Sequence, residues 1–236
     1  MRGLMTADDQ FAASAVYLRC IERVTELASS AQVSIPIPAC PGWTLHNLCS
    51  HLAGNATALA TGDINPNSPQ EWIDEQIARR RSHDTSMVLT ELADSGTKFA
   101  RRIAREPRRW AGIVYDAIAH EHDIRGALGR PGARSDAGIE LSLDFELRLL
   151  ARHARELKLP AIAITSGESS WRTTAGPPAA LLRLDDRWEL FRVLGSRRSP
   201  MQVRSLEWSG DAHLLLASLH TPPPIEDLIE PLGPCT

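Results

Sequence analysis

The chain lacks a strong charge of either sign. Its 26 basic and 29 acidic side chains leave a net charge of −3, so nothing points to a nucleic-acid backbone or an acidic membrane surface as partner. No stretch approaches the ~20 apolar residues needed to cross a bilayer. Met1 to Phe11 also lacks the basic segment and apolar run of a signal peptide. The expectation is a soluble, cytoplasmic protein that engages neither nucleic acid nor membrane. Cysteine is sparse as well: Cys20, Cys40, Cys49 and Cys235 show no CxxC spacing. A chain this long can bury a core without disulfides, so all four are expected to be reduced. Cys40, in its proline-flanked turn, is the thiol best placed to act as a nucleophile, although no local feature demands it. Aromatic residues reach only 5%, and Trp110 and Trp208 sit beside charged or polar clusters. What is present is an ordinary hydrophobic fraction of 43% over 236 residues. That suffices for one large domain, or a medium domain plus a small one.

From Thr6 to Ser30, Phe11, Ala15, Leu18, Ile21, Val24 and Ala28 recur at spacings of three and four, which predicts a helix with one buried stripe. Prolines 36, 38 and 41 force extended or turn geometry on the next segment. Thr44 is the natural N-cap of a second helix, whose apolar face is Leu45, Leu48, Cys49, Leu52 and Ala56. After a loop from Gly62 to Asn67, Ser68-Pro69-Gln70-Glu71 reads as a capping box. The helical pattern then runs to about Arg105, interrupted near Ser82 to Ser86 and ended by Pro107. A further helix spans about Arg109 to Leu128 and stops at Gly129-Arg130-Pro131-Gly132. A fifth spans about Ser142 to Leu157. Beyond it, Ala161–Thr165, Ser170–Thr174 and Ala180–Leu184 read as short strands. Trp188–Gly195, Met201–Trp208 and Ala212–Leu219 read as helices. The expected fold class is mainly α: an up-and-down four-helix bundle over residues 1–158, followed by a small α+β domain over 159–236.

One helix carries an unusual polar face. At ~100° per residue, Asp116, His120 and Asp123 share a narrow sector bordered by the small residues Gly112, Ala119 and Ala127. Val114, Ala117, Ile118, Ile124 and Leu128 take the opposite side. His51 lies on the flank of the second helix, beside Asn47 and Asn55, where it can face a neighbouring helix. Two imidazoles and one carboxylate suit Zn²⁺, Ni²⁺ or Fe²⁺ and leave a coordination position open. The same spacing also fits a solvated Asp–His pair, or a core histidine satisfied by Asp116 or Asp123.

Two blocks favour the metal. Pro38-Ala39-Cys40-Pro41-Gly42-Trp43-Thr44, followed by Leu48-Cys49-Ser50-His51-Leu52-Ala53-Gly54, resembles the signature of the mycothiol-dependent maleylpyruvate isomerase family, whose N-terminal bundle is of the DinB type. The segment Asp116 to Gly129 resembles the family's "E-x-x-x-H-x-x-D-(I/L)-R-x-A-L-G" stretch. Leu190-Phe191-Arg192, Gly195 to Ser199 and Trp208 to Asp211 are similar, more loosely, to its C-terminal region.

The resemblance implies a divalent metal, zinc first, held by His51, Asp116 and His120, with Asp116 one methylene shorter than the family's usual glutamate. Glu121 and His122 are rival ligands that point away from the Asp116/His120 sector. The resemblance further implies mycothiol, a small thiol of actinobacteria, as cofactor and a small electrophilic molecule as substrate. In the isomerase the thiolate adds to a cis double bond, the resulting single bond rotates, and elimination gives the trans isomer; related members transfer the thiol instead. The expected function is therefore an isomerase or thiol transferase. The alternatives are a non-catalytic, DinB-like metal-binding or stress-associated protein, and a metal-assisted hydrolase. Asp123 either orients a histidine ring or is a helix-surface carboxylate. Arg125 either binds an anion or solvates its helix, and Arg197-Arg198 either meets an acidic substrate or complements a helix end. Arg79-Arg80-Arg81 reads as a solvated face, and Trp43 as a core anchor of the proline turn.

Overall fold

A computed structural model describes residues 7–63 and 69–231. Thr6, the Ser68 cap, most of the loop to Asn67, and Cys235 lie outside the described residues, as does the side chain of Phe11. The chain divides into two compact units: one reaches Gly132 and includes a short stretch from Glu230, and the other covers Ala133–Ile229.

The first unit is a helix bundle: α1 (Ala7–Ser29), α2 (Leu45–Thr61), α3 (Pro69–Arg80), α4 (Thr85–Arg105) and α5 (Pro107–Leu128). Here α4 packs on α1 and α2, α5 on α1, and α3 on α2. Of the stripe expected of α1, Ile21, Val24 and Ala28 are buried, Leu18 is half-buried and Ala15 is exposed; the helix packs on α4, whose Leu92, Phe99 and Ile103 are buried. Tyr17, Phe99 and Trp110 stack edge to face through this core, with centroids 5.5 and 5.4 Å apart. Thr44 caps α2 as its sequence suggests, in a reciprocal capping box with Asn47. Pro107 does not merely end α4; it sits in the first turn of α5, where its missing N–H costs nothing. Gly54 lets α3 come close to α2, since a Cβ there would lie 2.6 Å from Cβ of Gln76.

The proline segment folds into a tight turn across the start of α2. Pro36 bridges Thr44, and the Ile37 and Trp43 amides bond the Trp43 and Cys40 carbonyls at 2.9 and 3.0 Å. Gly42 takes a left-handed conformation at φ 83°. Cys40 and Trp43 are thereby held in fixed positions.

The second unit holds α6 (Ala137–Glu156) and a four-stranded sheet of order β2-β1-β3-β4. The strands are β1 (Ile162–Ser166), β2 (Ser169–Arg172), β3 (Ala180–Arg183) and β4 (Glu207–Gly210). β1 pairs antiparallel with β2 and parallel with β3, and β3 pairs antiparallel with β4. The helices α7 (Arg187–Leu194), α8 (Pro200–Arg204) and α9 (His213–Ser218) complete it. Three expectations change here. α6 begins at Ala137 rather than Ser142, because Asp136 caps it by accepting from the Gly138 amide at 2.8 Å. It packs on α7 and α9, so the units divide at Gly132/Ala133 and not after residue 158. The segment 201–208 is not one helix: α8 ends at Arg204, and Trp208 belongs to β4, its indole N–H bonding the Val203 carbonyl at 2.8 Å.

Candidate metal centre

Three helical positions and one turn converge inside the bundle. His51 extends from α2, Asp116 and His120 from successive turns of α5. His51 Nε2 lies 3.2 Å from Asp116 Oδ2, and His120 Nε2 lies 3.4 Å from Asp116 Oδ1. Ligand atoms of the three residues all fall within 4.8 Å of one another. Both imidazoles are buried, whereas the Asp116 side chain keeps 31% of its surface exposed. The two rings meet edge to face at 5.2 Å.

Further polar and aromatic contacts surround them. Asp123, wholly buried, places Oδ2 3.0 Å from His120 Nδ1. Asn55, one turn beyond His51, donates its amide to Asp116 Oδ2 at 3.1 Å. The Asn55 carbonyl oxygen and His51 Nδ1 are buried with no hydrogen-bond partner among the described residues. Trp43 is not a plain core anchor: half-buried, its ring sits 5.2 Å from that of His51 and 6.0 Å from that of His120. Half-buried Cys40 donates to Asp123 Oδ2 at 3.5 Å and lies 3.8 Å from His120 Nδ1. Cys40, His120 and Asp123 thus form a second group whose ligand atoms lie within 4.8 Å of one another. Sequence reasoning missed Asn55 as a partner of Asp116 and Cys40 as a neighbour of His120. The proline turn marked Cys40 as held, but not against what.

Charge is concentrated here. Burial works against the Asp116 carboxylate, but the charges of His120 and His51 and the hydrogen bonds to both rings outweigh it. They hold the carboxyl well below the usual carboxylate range. Burial likewise disfavours a charged His120, yet Asp116, helped by hydrogen bonds to Asp123 and Cys40, raises that imidazole well above the ordinary histidine value. A cation entering this cluster therefore displaces a proton.

The donor set fits a divalent ion. With metal–ligand bonds of about 2.0–2.2 Å at tetrahedral angles, neighbouring N and O ligands lie about 3.3–3.6 Å apart. The two His–Asp116 separations, 3.2 Å to Oδ2 and 3.4 Å to Oδ1, lie at the short end of that range.

The other ionisable residues of α5 have different work. Glu121 is fully buried and receives Arg23 Nε and Nη2, both at 2.7 Å, and Arg125 Nε at 2.9 Å. It clamps α5 to α1, and Arg125 is spent on it. His122 is buried outside both groups. Arg80 is no part of a solvated face: it is buried, bonded to Glu91 and to Gln76. Arg198 forks onto Glu189 at 2.6 Å, and Arg197 bonds the Gly195 carbonyl at 2.8 Å, both inside the second unit. Cys20, Cys40 and Cys49 form no disulfide among the described residues. No helix among the described residues is long and apolar enough to cross a membrane.

Comparison with known proteins agrees with this architecture. Residues 18–130 match the mycothiol maleylpyruvate isomerase N-terminal domain. A crystal structure of the mycothiol-dependent maleylpyruvate isomerase superposes with a TM-score of 0.57 at 15% identity, covering 82% of this chain and 90% of that one. At that identity the likeness speaks for the fold alone. No curated protein matches the sequence.

Proposed function

Starting from a chain whose residues 18–130 belong to the mycothiol maleylpyruvate isomerase N-terminal domain family, we propose that it is a metal-dependent, mycothiol-using isomerase or thiol transferase. In this reading His51, Asp116 and His120 hold one divalent ion, zinc first, and the partners are a small thiol and a small electrophile in the cytoplasm. The observation that carries it is the meeting of two imidazoles and a carboxylate from α2 and α5 within 4.8 Å. An ion so held would carry a net charge of about +1, which favours a bound thiol as its thiolate, the competent nucleophile.

The chain's own residues supply the rest. Asp123, 3.0 Å from His120 Nδ1, fixes the ring so that Nε2 faces Asp116. Asn55 holds one Asp116 oxygen in place. Trp43 walls the two imidazoles with an apolar face, and the exposed flank of Asp116 is the side from which a small molecule reaches the cluster.

The same cluster satisfies much of its polarity internally, as an ion pair between Asp116 and His120, and this supports the alternative of a non-catalytic metal-binding or stress-associated protein. Metal analysis of purified protein tests the proposal. One ion per chain, lost in His51→Ala, is expected; a substoichiometric content unchanged by that substitution refutes it. Thiol transfer from mycothiol to a generic electrophile then separates enzyme from binder.

A further inference from the structure

His120 is used on both sides. Its Nε2 faces Asp116 and His51, while its Nδ1 faces Asp123 and Cys40. On the second side the separations are 3.0 Å between Nδ1 and Asp123 Oδ2, 3.5 Å between Cys40 Sγ and that oxygen, and 3.8 Å between Cys40 Sγ and Nδ1. A tetrahedral ion bonded to sulfur at about 2.3 Å and to nitrogen and oxygen at about 2.0–2.2 Å sets its ligand atoms about 3.3–3.6 Å apart. The three atoms already lie close to the corners of one such face. They are also held there: Asp123 and His120 are buried on α5, and the turn that carries Cys40 is pinned by the Ile37, Trp43 and Leu45 amides.

We propose that Cys40, His120 Nδ1 and Asp123 form a second cation site, an alternative to the one above because both draw on the His120 ring, that takes thiophilic divalent ions. A thiolate among the donors selects soft cations such as Cd²⁺ over hard ones such as Mg²⁺. The site stands independently of the functional reading, since it uses neither His51 nor Asp116. A neutral imidazole offers one lone pair, so His120 serves one ion at a time. An ion at Cys40 leaves Nε2 protonated and takes the ring away from the His51–Asp116 position. A thiophilic cation is thereby an antagonist of whatever binds on the other side, without entering that site.

The competing described thiols are sealed. Cys20 and Cys49 are fully buried, and burial pushes the Cys49 thiol up to about 12. Cys40 is the half-exposed one.

Cd²⁺ alone is the probe, read by the thiolate-to-cadmium charge-transfer band in the ultraviolet. The band is expected on the wild-type protein, retained in His51→Ala and lost in Cys40→Ser. Independently of any variant, Cd²⁺ is expected to protect Cys40 of the wild type from iodoacetamide, read by peptide mass. No band, a band that survives Cys40→Ser, or an unchanged alkylation rate overturns the site. A band lost in His51→Ala also overturns it, because Cys40 would then belong to the first position. Failure of the functional reading shows elsewhere, in zinc content insensitive to His51→Ala, and leaves the cadmium result standing.

Discussion

Glu121→Gln separates the scaffold of α5 from its chemistry. The carboxylate has no exposed surface and accepts three charge-assisted hydrogen bonds, from Arg23 Nε and Nη2 at 2.7 Å and from Arg125 Nε at 2.9 Å. Glutamine keeps the volume and one acceptor oxygen, removes the charge, and turns an amide N–H₂ toward a guanidinium. Removing one partner of a buried ion pair costs about 3–5 kcal/mol. Arg23 and Arg125 keep 23% and 14% of their side-chain surface and partly recover water, which places the loss near the low end, about 3 kcal/mol. For a chain of this size that corresponds to a fall in Tm of about 6–12 °C. Urea denaturation followed by far-ultraviolet circular dichroism measures the loss directly, and metal content of the folded variant is expected to match the wild type. A change below about 1 kcal/mol would refute the clamp. Loss of metal with the fold intact would return Glu121 to the ligands.

Two other outcomes follow from the same contacts. Asn55→Ala removes the amide that holds Asp116 Oδ2, and loss of such an outer partner weakens metal binding about 10–100-fold; chelator competition reads this, and unchanged affinity counts against the role. The Glu91 carboxyl, which burial would raise, is instead lowered by its hydrogen bonds to Arg80 and Thr57 and by the Arg80 charge. A depressed folded pKa contributes stability that is present above the ordinary glutamate value of about 4.3 and is lost as pH falls through the lower folded value. Acid unfolding of the wild type is therefore expected to steepen below about pH 4.3, and Glu91→Gln to flatten that limb; identical acid profiles would exclude Glu91 as a contributor.

Much of the bundle was legible because its signals are local. Thr44 as a cap, the three prolines ahead of it, and Gly129 as a stop each act within a few residues of themselves, and the structure keeps all three. The α5 register was legible for the same reason: helical spacing alone sets Asp116, His120 and Asp123 on one side. What spacing left open was which element that side faces. Its place on the flank of α2 offered His51 and the resemblance joined it to the α5 pair, but only the folded turn shows Cys40 arriving at Nδ1. Asn55 carried no signal, since an asparagine one turn beyond a histidine looks like any polar flank. Arg80 was misjudged because its neighbours in sequence are exposed, while its partner Glu91 lies 11 residues away on another helix. β4 was misjudged because a four-residue edge strand with exposed Glu207 and Ser209 has no buried alternation to read.

The run His120-Glu121-His122-Asp123 concentrates four ionisable groups in about one turn of helix, and their roles divide by angle rather than by type. His120 and Asp123, three residues apart, look the same way and bond each other at 3.0 Å. Glu121, rotated by about 100°, looks toward Arg23 on α1. The carboxylate one turn earlier, Asp116, works beside the same ring although it is a methylene shorter than the glutamate of the resembling family. Its separation from His120 is set mostly by the helix they share, because side chains at i and i+4 are neighbours on any helix. Only the span to α2 depends on its length, and there His51 closes the gap to 3.2 Å while Asn55 steadies the same oxygen. The shorter arm is thus no obstacle to a shared cluster. It shifts part of the positioning from α5 to α2, which is why a residue on α2 that touches no imidazole on α5 governs how firmly the carboxylate is presented.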